Sequence, residues 1–169
     1  MKQKTLQARS ATPRLSAKRE ILMEIRRQAR NLEQSGRIHM TKKYSQHGDC
    51  SVFEHCANVA YVSCMLFHQL HIDADREELI RGALLHDYFL YDWHNTKTCH
   101  PAHAVYHPTL ALHNAKKDYK LTQKEEDIIL HHMFPLTVLP PKSREAWMVC
   151  LADKLCALTE TFGKVWVRQ

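Results

Sequence analysis

Histidine and aspartate side chains fall on the apolar sides of several predicted helices. Asp153 follows Val149 and Cys150 by one turn and precedes Cys156, so a helix there turns its carboxylate toward the core. The same spacing turns imidazole and carboxylate groups inward on three other predicted helices, at His55, His86, Asp87 and His132. The chain has 13 histidines among its 169 residues, an unusual supply of such groups.

Several buried imidazoles and carboxylates need compensation. Burying each one without a partner costs several kcal/mol, and a cation that they coordinate jointly removes that cost. A single inward histidine would indicate a satisfied core residue, but the set favours a metal site. Mixed nitrogen and oxygen ligands suit Fe, Mn, Co, Ni or Zn and argue against Ca, which prefers oxygen ligands alone. We therefore expect one or two divalent transition-metal ions per chain.

Six helices are predicted to position these side chains, at about 18–35, 51–70, 76–89, 108–118, 122–133 and 143–163. Ser16 is expected to cap the first helix, Pro108 to occupy the first position of the fourth with His107 just outside it, and Gly163 to end the last. Ser143 opens the sixth helix. Three further starts carry capping-box pairs, which are Ser51 with Glu54, Asp75 with Glu78, and Thr122 with Glu125. No alternating strand pattern occurs, so the fold class is all-α, and residues 88–106 form the one long irregular connection.

Positive charge is concentrated in residues 1–43 and helps to divide the chain into parts. Residues 1–43 hold half of the 24 Lys and Arg but only three of the 18 acidic residues, within an overall net charge of +6. We expect a disordered basic tail at 1–15, an amphipathic helix and linker at 16–43, and one domain at 44–165. No aromatic residue precedes Tyr44, so we expect the arm to be a solvated tail and do not expect a nucleic-acid partner.

From the pattern of apolar residues and cysteines, we expect the protein to be cytoplasmic. The longest nearly apolar run, at 59–67, is far shorter than the roughly 20 residues that cross a bilayer, and no apolar signal segment is seen. The six cysteines include no CxxC pair, which argues against a zinc ribbon or a disulfide framework. We expect reduced thiols and no membrane span.

The order His55, the doublet His86 and Asp87, then Asp153 resembles the HD-domain superfamily of metal-dependent phosphohydrolases, over about residues 51–162. This resemblance implies a single HD-domain helical bundle. It also implies that these four residues hold one metal, with Asp87 placed to bridge to a second. The stretch LLHDYFLYDWH is most similar to small bacterial HD proteins.

Two further histidines, His107 and His132, are similar to the additional ligands found in family members with paired metals. His131 is an alternative to His132. Asp127, one turn before His131, suggests a more exposed face for that residue, so His132 is preferred.

The resemblance implies hydrolysis of a small phosphate ester, such as a nucleotide, by a metal-bound hydroxide, with Asp87 among the catalytic residues. Lys154, directly after Asp153, and Arg81 are the nearest cationic candidates for substrate phosphate. Asp92 and His94 would serve either to orient a metal ligand and donate a proton to the leaving group, or as a loop cap and a solvent-facing residue. Three aromatic side chains in this loop could stack on a nucleobase or could only pack against the protein, and these are Tyr88, Tyr91 and Trp93.

Departures from the family pattern reduce the number of functions that the resemblance allows. Tyr88, Phe89 and Leu90 follow the doublet where many HD enzymes carry a Gly-Lys pair, and no Gly-Tyr-Pro motif follows His132, which excludes the cyclic dinucleotide phosphodiesterases. Two other functions stay open. One is a mixed-valent di-iron oxygenase of the HD type, and the other is a non-catalytic module that binds metal or nucleotide.

Overall fold

The fold is built from six α-helices, as a computed structural model of the chain describes it over residues 13–47, 49–94 and 103–162. These are α1 (Pro13–Ser35), α2 (Val52–Gln69), α3 (Arg76–Leu85), α4 (His103–Asp118), α5 (Gln123–His131) and α6 (Arg144–Thr161). A 3-10 helix at Ile38–Lys43 and a small antiparallel pair, β1 (Ser45–His47) and β2 (Cys50–Ser51), precede α2. The prediction of an all-α domain is confirmed.

Capping explains where most of these helices begin. The boxes at α2 and α5 are confirmed, since Ser51 Oγ accepts from Glu54 N at 3.2 Å, Glu54 Oε2 accepts from Ser51 N at 2.9 Å, and the same pair of bonds forms at α5. At α3 only half of the box forms. Asp75 accepts from the amide of Glu78, but the amide of Asp75 donates to Glu145 on α6 instead. Ser143 caps α6 as predicted.

Several predicted boundaries were wrong. Helix α1 begins at Pro13, so Ser16 lies inside it and donates to Glu20 Oε1 at 2.8 Å instead of capping. Helix α3 ends at Leu85, before the doublet, and Leu90 turns the chain with a φ of 60°. Helix α4 begins at His103, which shortens the irregular connection and puts Pro108 in its second turn.

The missing amide of Pro108 costs α4 only one hydrogen bond there, which packing outweighs. The loop expected before residue 51 contains the 3-10 helix and the strand pair. Most of the predicted tail at 1–15, the stop at Gly163 and the end of the predicted domain at 165 lie outside the described residues.

Helix α2 is the centre of the bundle, because 14 of its 18 residues are buried. It packs against α3 and α6, while α5 lies against α3, α4 and α6. The amphipathic prediction for α1 is confirmed, since Ile21, Ile25 and Leu32 are buried against α2 and α3. None of the helices in the described ranges is both long and apolar enough to cross a lipid bilayer.

Gly82 sets the close approach of α3 to α5. A Cβ at this position would lie 2.5 Å from Ile128 Cδ1 and 3.1 Å from its Cβ and Cγ2. Ile128 is β-branched and fully buried, so it has little freedom to withdraw. The two helices pack in contact only because position 82 has no side chain.

We predict that Gly82→Ala lowers the free energy of unfolding. Overpacking costs about 1–3 kcal/mol, and the better helix propensity of alanine offsets at most about 1 kcal/mol. Urea denaturation measures the loss. Adding Ile128→Val removes the methyl group that clashes with the new Cβ. The double variant should therefore lose less free energy of unfolding than the sum of the losses of the two single variants. Losses that are strictly additive would contradict the contact.

Asp118 ties the segment after α1 to α4. Its carboxylate accepts from Arg37 Nε at 2.9 Å and from an Arg37 terminal nitrogen at 3.0 Å, and Tyr88 Oη donates to it at 2.6 Å. Burial raises the pKa of Asp118, but these hydrogen bonds outweigh burial and lower it below its ordinary value. The interaction therefore stabilises the fold above the ordinary aspartate pKa of about 4 and is lost as the pH falls through the lowered value.

We predict that Asp118→Asn reduces the free energy of unfolding at pH 7 by about 1–2 kcal/mol. The difference from the wild type should shrink once the pH falls below about 4, because the unfolded wild-type chain then takes up a proton at Asp118 while the folded carboxylate, with its lowered pKa, is still charged. Urea denaturation across this pH range measures it, with the exposed Asp73→Asn as the matched control. A deficit that stayed constant down to the lowest pH would rule out this electrostatic origin.

Candidate metal centre

Six imidazole and carboxylate side chains meet where the helix ends converge. His55 lies in the first turn of α2, His107 in α4 and Asp153 in the middle of α6, while three others directly follow α3 and α5. Each of the six has at most 8% of its surface exposed. The sequence had singled out all of them, and the structure brings them together, namely His55, His86, Asp87, His107, His132 and Asp153.

The two carboxylates lie between the imidazoles. Asp153 Oδ1 is 3.1 Å from His55 Nε2 and 3.8 Å from His86 Nε2. Asp87 reaches both sides of the cluster, because its Oδ2 is 3.5 Å from His86 Nε2 and its Oδ1 is 3.1 Å from His107 Nε2 and 3.5 Å from His132 Nε2. The arrangement therefore has two lobes with Asp87 between them.

Backbone carbonyls orient three of the imidazoles. Nδ1 of His86 lies 2.7 Å from the oxygen of Ala83, Nδ1 of His107 lies 3.0 Å from that of His103, and Nδ1 of His132 lies 2.8 Å from that of Ile129. A carbonyl can only accept, so each Nδ1 carries a proton, and a ring that holds no second proton turns a lone pair inward on Nε2. This is the tautomer that a metal-binding histidine needs.

The inward atoms lack donors to satisfy them. His107 Nε2 and His132 Nε2 face each other at 2.9 Å, although the backbone bonds leave a lone pair on each. Among the described residues, His86 Nε2 is buried and makes no hydrogen bond, and the nearest groups to Asp87 Oδ1 are His107 Nε2 at 3.1 Å and His132 Nε2 at 3.5 Å. Two overlapping groups have ligand atoms within 4.8 Å of one another, and these are His55, His86 and Asp153, and His86, Asp87 and His132. This donor set fits a divalent transition metal.

The protonation states agree with a cation site. Burial raises the pKa of Asp153, but the hydrogen bond with His55 outweighs it and brings the value to about 2. Burial likewise opposes ionisation of Asp87, but the histidines around it hold its pKa well below the ordinary value. Burial lowers the pKa of His86 to about 4. At neutral pH, both carboxylates are thus charged and His86 is neutral.

His55 shows how strongly the cluster attracts positive charge. Burial lowers its pKa, but hydrogen bonds with Asp153 and Glu160 outweigh burial and raise the value to about 10. Without an ion, the proton on His55 is the positive charge that the carboxylates hold. A metal ion coordinated by Nε2 would take the place of that proton.

Two supporting residues were missed from the sequence. Glu160 Oε2 lies 2.7 Å from His55 Nδ1, and its Oε1 accepts from Asn58 Nδ2 at 2.7 Å. Glu160 stands seven residues after Asp153, on the same face of α6, and that spacing could have identified it. Gln46 Nε2 donates to Asp87 Oδ2 at 2.7 Å, but Gln46 lies on β1, where the sequence pattern indicated only a loop.

A cavity of about 670 Å³ opens over the cluster. Asp87, His107, His132 and Asp153 are at its polar end. The rest of the lining is largely apolar and aromatic, and includes Trp93, Ala104, Met133, Pro135, Leu136 and Ala157. A substrate bound there would meet the charged cluster at one end and an apolar wall along its length.

The two side chains predicted to bind phosphate, Lys154 and Arg81, lie in different parts of the structure. Lys154 lines the cavity, and its ammonium group donates to the carbonyls of His132 at 2.9 Å and Cys150 at 3.1 Å. Arg81 is paired with Glu125 and donates to the carbonyl of Lys120 at 3.2 Å, and it does not line this cavity. Only Lys154 stays next to the cluster.

Most of the loop residues that the sequence indicated after the doublet lie away from the cavity. Asp92 is half exposed and accepts from the amide of His94 at 3.0 Å, the loop-cap arrangement, and neither residue lines the cavity. Tyr88 is buried in the core with Asp118 as its partner. Of the proposed aromatic wall, only Trp93 reaches the cavity, where its ring stacks on His103.

His131 has a structural partner. Its Nδ1 lies 2.7 Å from Asp127 Oδ1, and the same carboxylate accepts from the amides of Lys142 and Ser143 ahead of α6. Both residues are buried, so the expectation of a more exposed face was wrong. His132, not His131, has its Nε2 in the cluster.

We predict that Glu160→Gln weakens binding of a divalent transition metal by about 10- to 100-fold. The new amide has to turn a donor toward either His55 or Asn58, and both of these donate to Glu160. Competition with a chromophoric chelator measures the affinity. The matched control is Glu126→Gln, at a partly exposed residue of α5 that pairs with Lys116. Equal affinity of both variants for the metal would show that Glu160 does not orient His55.

A family model described as the HD domain matches residues 52–158, well over half of the chain. The match runs from the start of α2 almost to the end of α6 and so contains all six clustered side chains. Comparison with curated proteins and with solved structures gives no match. With its helical bundle and its buried histidine and aspartate cluster, the chain belongs to the HD-domain superfamily.

Proposed function

We propose that this protein hydrolyses a small phosphate ester with the help of divalent transition-metal ions. The observation that carries this proposal is the position of the cluster. Two charged carboxylates and the buried, unpaired Nε2 of His86 meet at one end of a cavity of about 670 Å³, where a substrate can reach the cluster. Family membership supports metal-dependent hydrolysis as the reaction class.

The two lobes of the cluster suggest two ions. His55, His86 and Asp153 would hold one, and His107 and His132 would hold the other. Asp87 would belong to both, because its Oδ2 faces the first lobe and its Oδ1 the second. Among the described residues of the cluster, Asp87 is the one side chain that turns an oxygen toward each lobe.

When bound, such ions lower the pKa of a coordinated water and neutralise charge on phosphoryl oxygens. The chain's own groups supply the rest. Gln46 fixes the carboxylate of Asp87, and the carbonyls of Ala83, His103 and Ile129 fix the imidazole rings. These contacts hold the polar end of the cavity in one arrangement before a substrate arrives.

Lys154 supports an anionic substrate. Its ammonium group is held at the cavity by two carbonyls, and it is the one Lys or Arg among the described residues that line this cavity. A single cation beside the metal ligands suits one phosphate group better than a polyphosphate chain.

The apolar lining supports an ester whose other part is aromatic or apolar. Trp93 contributes aromatic surface to the lining, and its Nε1 is buried without a hydrogen-bond partner among the described residues. Oε1 of Gln46 is unsatisfied in the same way. A nucleoside monophosphate combines one phosphate with an aromatic base and polar groups for such contacts.

Metal analysis of protein purified without chelator, followed by assays on a panel of phosphate esters with Mn, Fe, Co, Ni and Mg, tests the proposal. We predict more than one transition-metal ion per chain and phosphatase activity that requires the metal. Iron content with oxygen consumption and no phosphatase activity would favour the oxygenase function instead. Nucleotide binding without turnover in any metal would favour a regulatory module.

We predict that Asp87→Ala abolishes both metal retention and turnover, because it removes the carboxylate that the two lobes share. The far-ultraviolet circular dichroism of this variant should still show a helical protein. Asp73→Ala, in an exposed loop, is the matched control and should keep its metal and its activity. Turnover by Asp87→Ala at the wild-type rate would mean that the cluster is not the active site.

A further inference from the structure

The outer face of α6 carries a row of exposed apolar side chains. Their spacing along the helix is four, four, three and four residues, which keeps them within an arc of about 80°. Between 40% and 75% of the surface of each is exposed. We call this row the α6 stripe, and it consists of Trp147, Leu151, Leu155, Leu158 and Phe162.

The opposite face of α6 is already used by the fold. Val149, Cys156 and Glu160 are buried there against α2 and α5. A helix that is apolar on both sides is typically covered on both sides. Along α6, the exposed charged residues are Arg144 and Lys154, so no carboxylate keeps the stripe in water.

An apolar groove of about 530 Å³ continues the stripe. Trp147 and Leu151 form one wall of it, and Phe67, Ile72 and Phe134 lie opposite. Large exposed apolar surfaces of this kind mark sites of association. The groove shares Pro135 and Lys154 with the cavity over the metal centre.

The spacing of the stripe fits another α-helix as its cover. Steps of four and three residues form the seam along which two helices pack. The stripe offers on the order of 500 Å² of apolar area, and the adjoining groove adds to it. Two stripes together bury on the order of 1,000 Å², which reaches the lower limit of about 1,000 Å² for a specific interface and is typical of a reversible dimer.

The segments outside the described residues do not match the stripe. Residues 1–12 contain only Met1 and Leu6 as large apolar residues, and residues 163–169 contain Val165, Trp166 and Val167. Residues 95–102 contain none. A second copy of the chain, in contrast, brings an identical row of five.

We propose that two copies of this protein associate through their α6 stripes, with the two helices antiparallel and Leu155 near the two-fold axis. Such a contact is self-complementary, as a two-fold interface requires. Leu151 of one copy then faces Leu158 of the other, and the two Arg144 side chains lie at opposite ends. This proposal does not rest on the phosphohydrolase function.

Sedimentation equilibrium of the full-length protein, over a concentration series up to about 100 µM, tests the association. We expect twice the chain mass of 19.8 kDa for the wild type. Leu151→Glu and Leu158→Lys, each alone, should weaken association by about 100-fold, because each dimer would bury two unpaired charges. Met23→Glu, at an exposed apolar site on α1, is the matched control and should remain a dimer.

Mixing the two charged variants tests the antiparallel pairing. A mixed dimer places the carboxylate introduced at position 151 of one copy opposite the ammonium group introduced at position 158 of the other, and it keeps one leucine pair. The mixture should therefore recover a dimer that neither variant forms alone. A monomeric wild type would overturn the proposal, whether or not the variants fold. So would a dimer that survives both substitutions, since another surface would then hold it.

Discussion

The buried carboxylates of the cluster need positive charge beside them, and much of this structure is arranged around that need. Backbone carbonyls accept hydrogen bonds from Nδ1 of His86, His107 and His132, so the inward Nε2 of each ring can only accept unless the ring takes up a second proton. The two carboxylates between them can also only accept. Acceptors packed this closely repel one another unless a cation lies among them. The closest pair, His107 Nε2 and His132 Nε2 at 2.9 Å, shows the conflict most clearly.

The bundle supplies the rigidity that holds such an arrangement together. Helix α2 is buried along most of its length, and Gly82 lets α3 approach α5 closely. Helix α6 contributes Asp153, Glu160 and Lys154, three residues that respectively face the cluster, support His55 and line the cavity. Its outer face is apolar as well, so the helix that supports the centre also offers the surface for a second copy.

Sequence periodicity predicted the helices and the inward side chains well, because both depend on local spacing. The capping boxes at Ser51 and Thr122 formed as expected, since each requires only neighbouring residues. Long-range contacts were beyond such reasoning. Glu145 of α6 replaced Glu78 as the acceptor for the amide of Asp75, and Gln46 reached Asp87 from a short strand with no sequence signal. Asp92 and Arg81 are near the doublet in sequence, but Asp92 bonds locally to the amide of His94, and Arg81 pairs with the distant Glu125, away from the cavity.

Anomalous diffraction from crystals of protein purified without chelator tests the central claim most directly. The account predicts a peak at a transition-metal absorption edge between Nε2 of His55, Nε2 of His86 and the carboxylate of Asp153, with Asp87 reaching toward a second peak beside His132. A map with no peak, in which water or neighbouring side chains donate hydrogen bonds to all of these atoms, would contradict it.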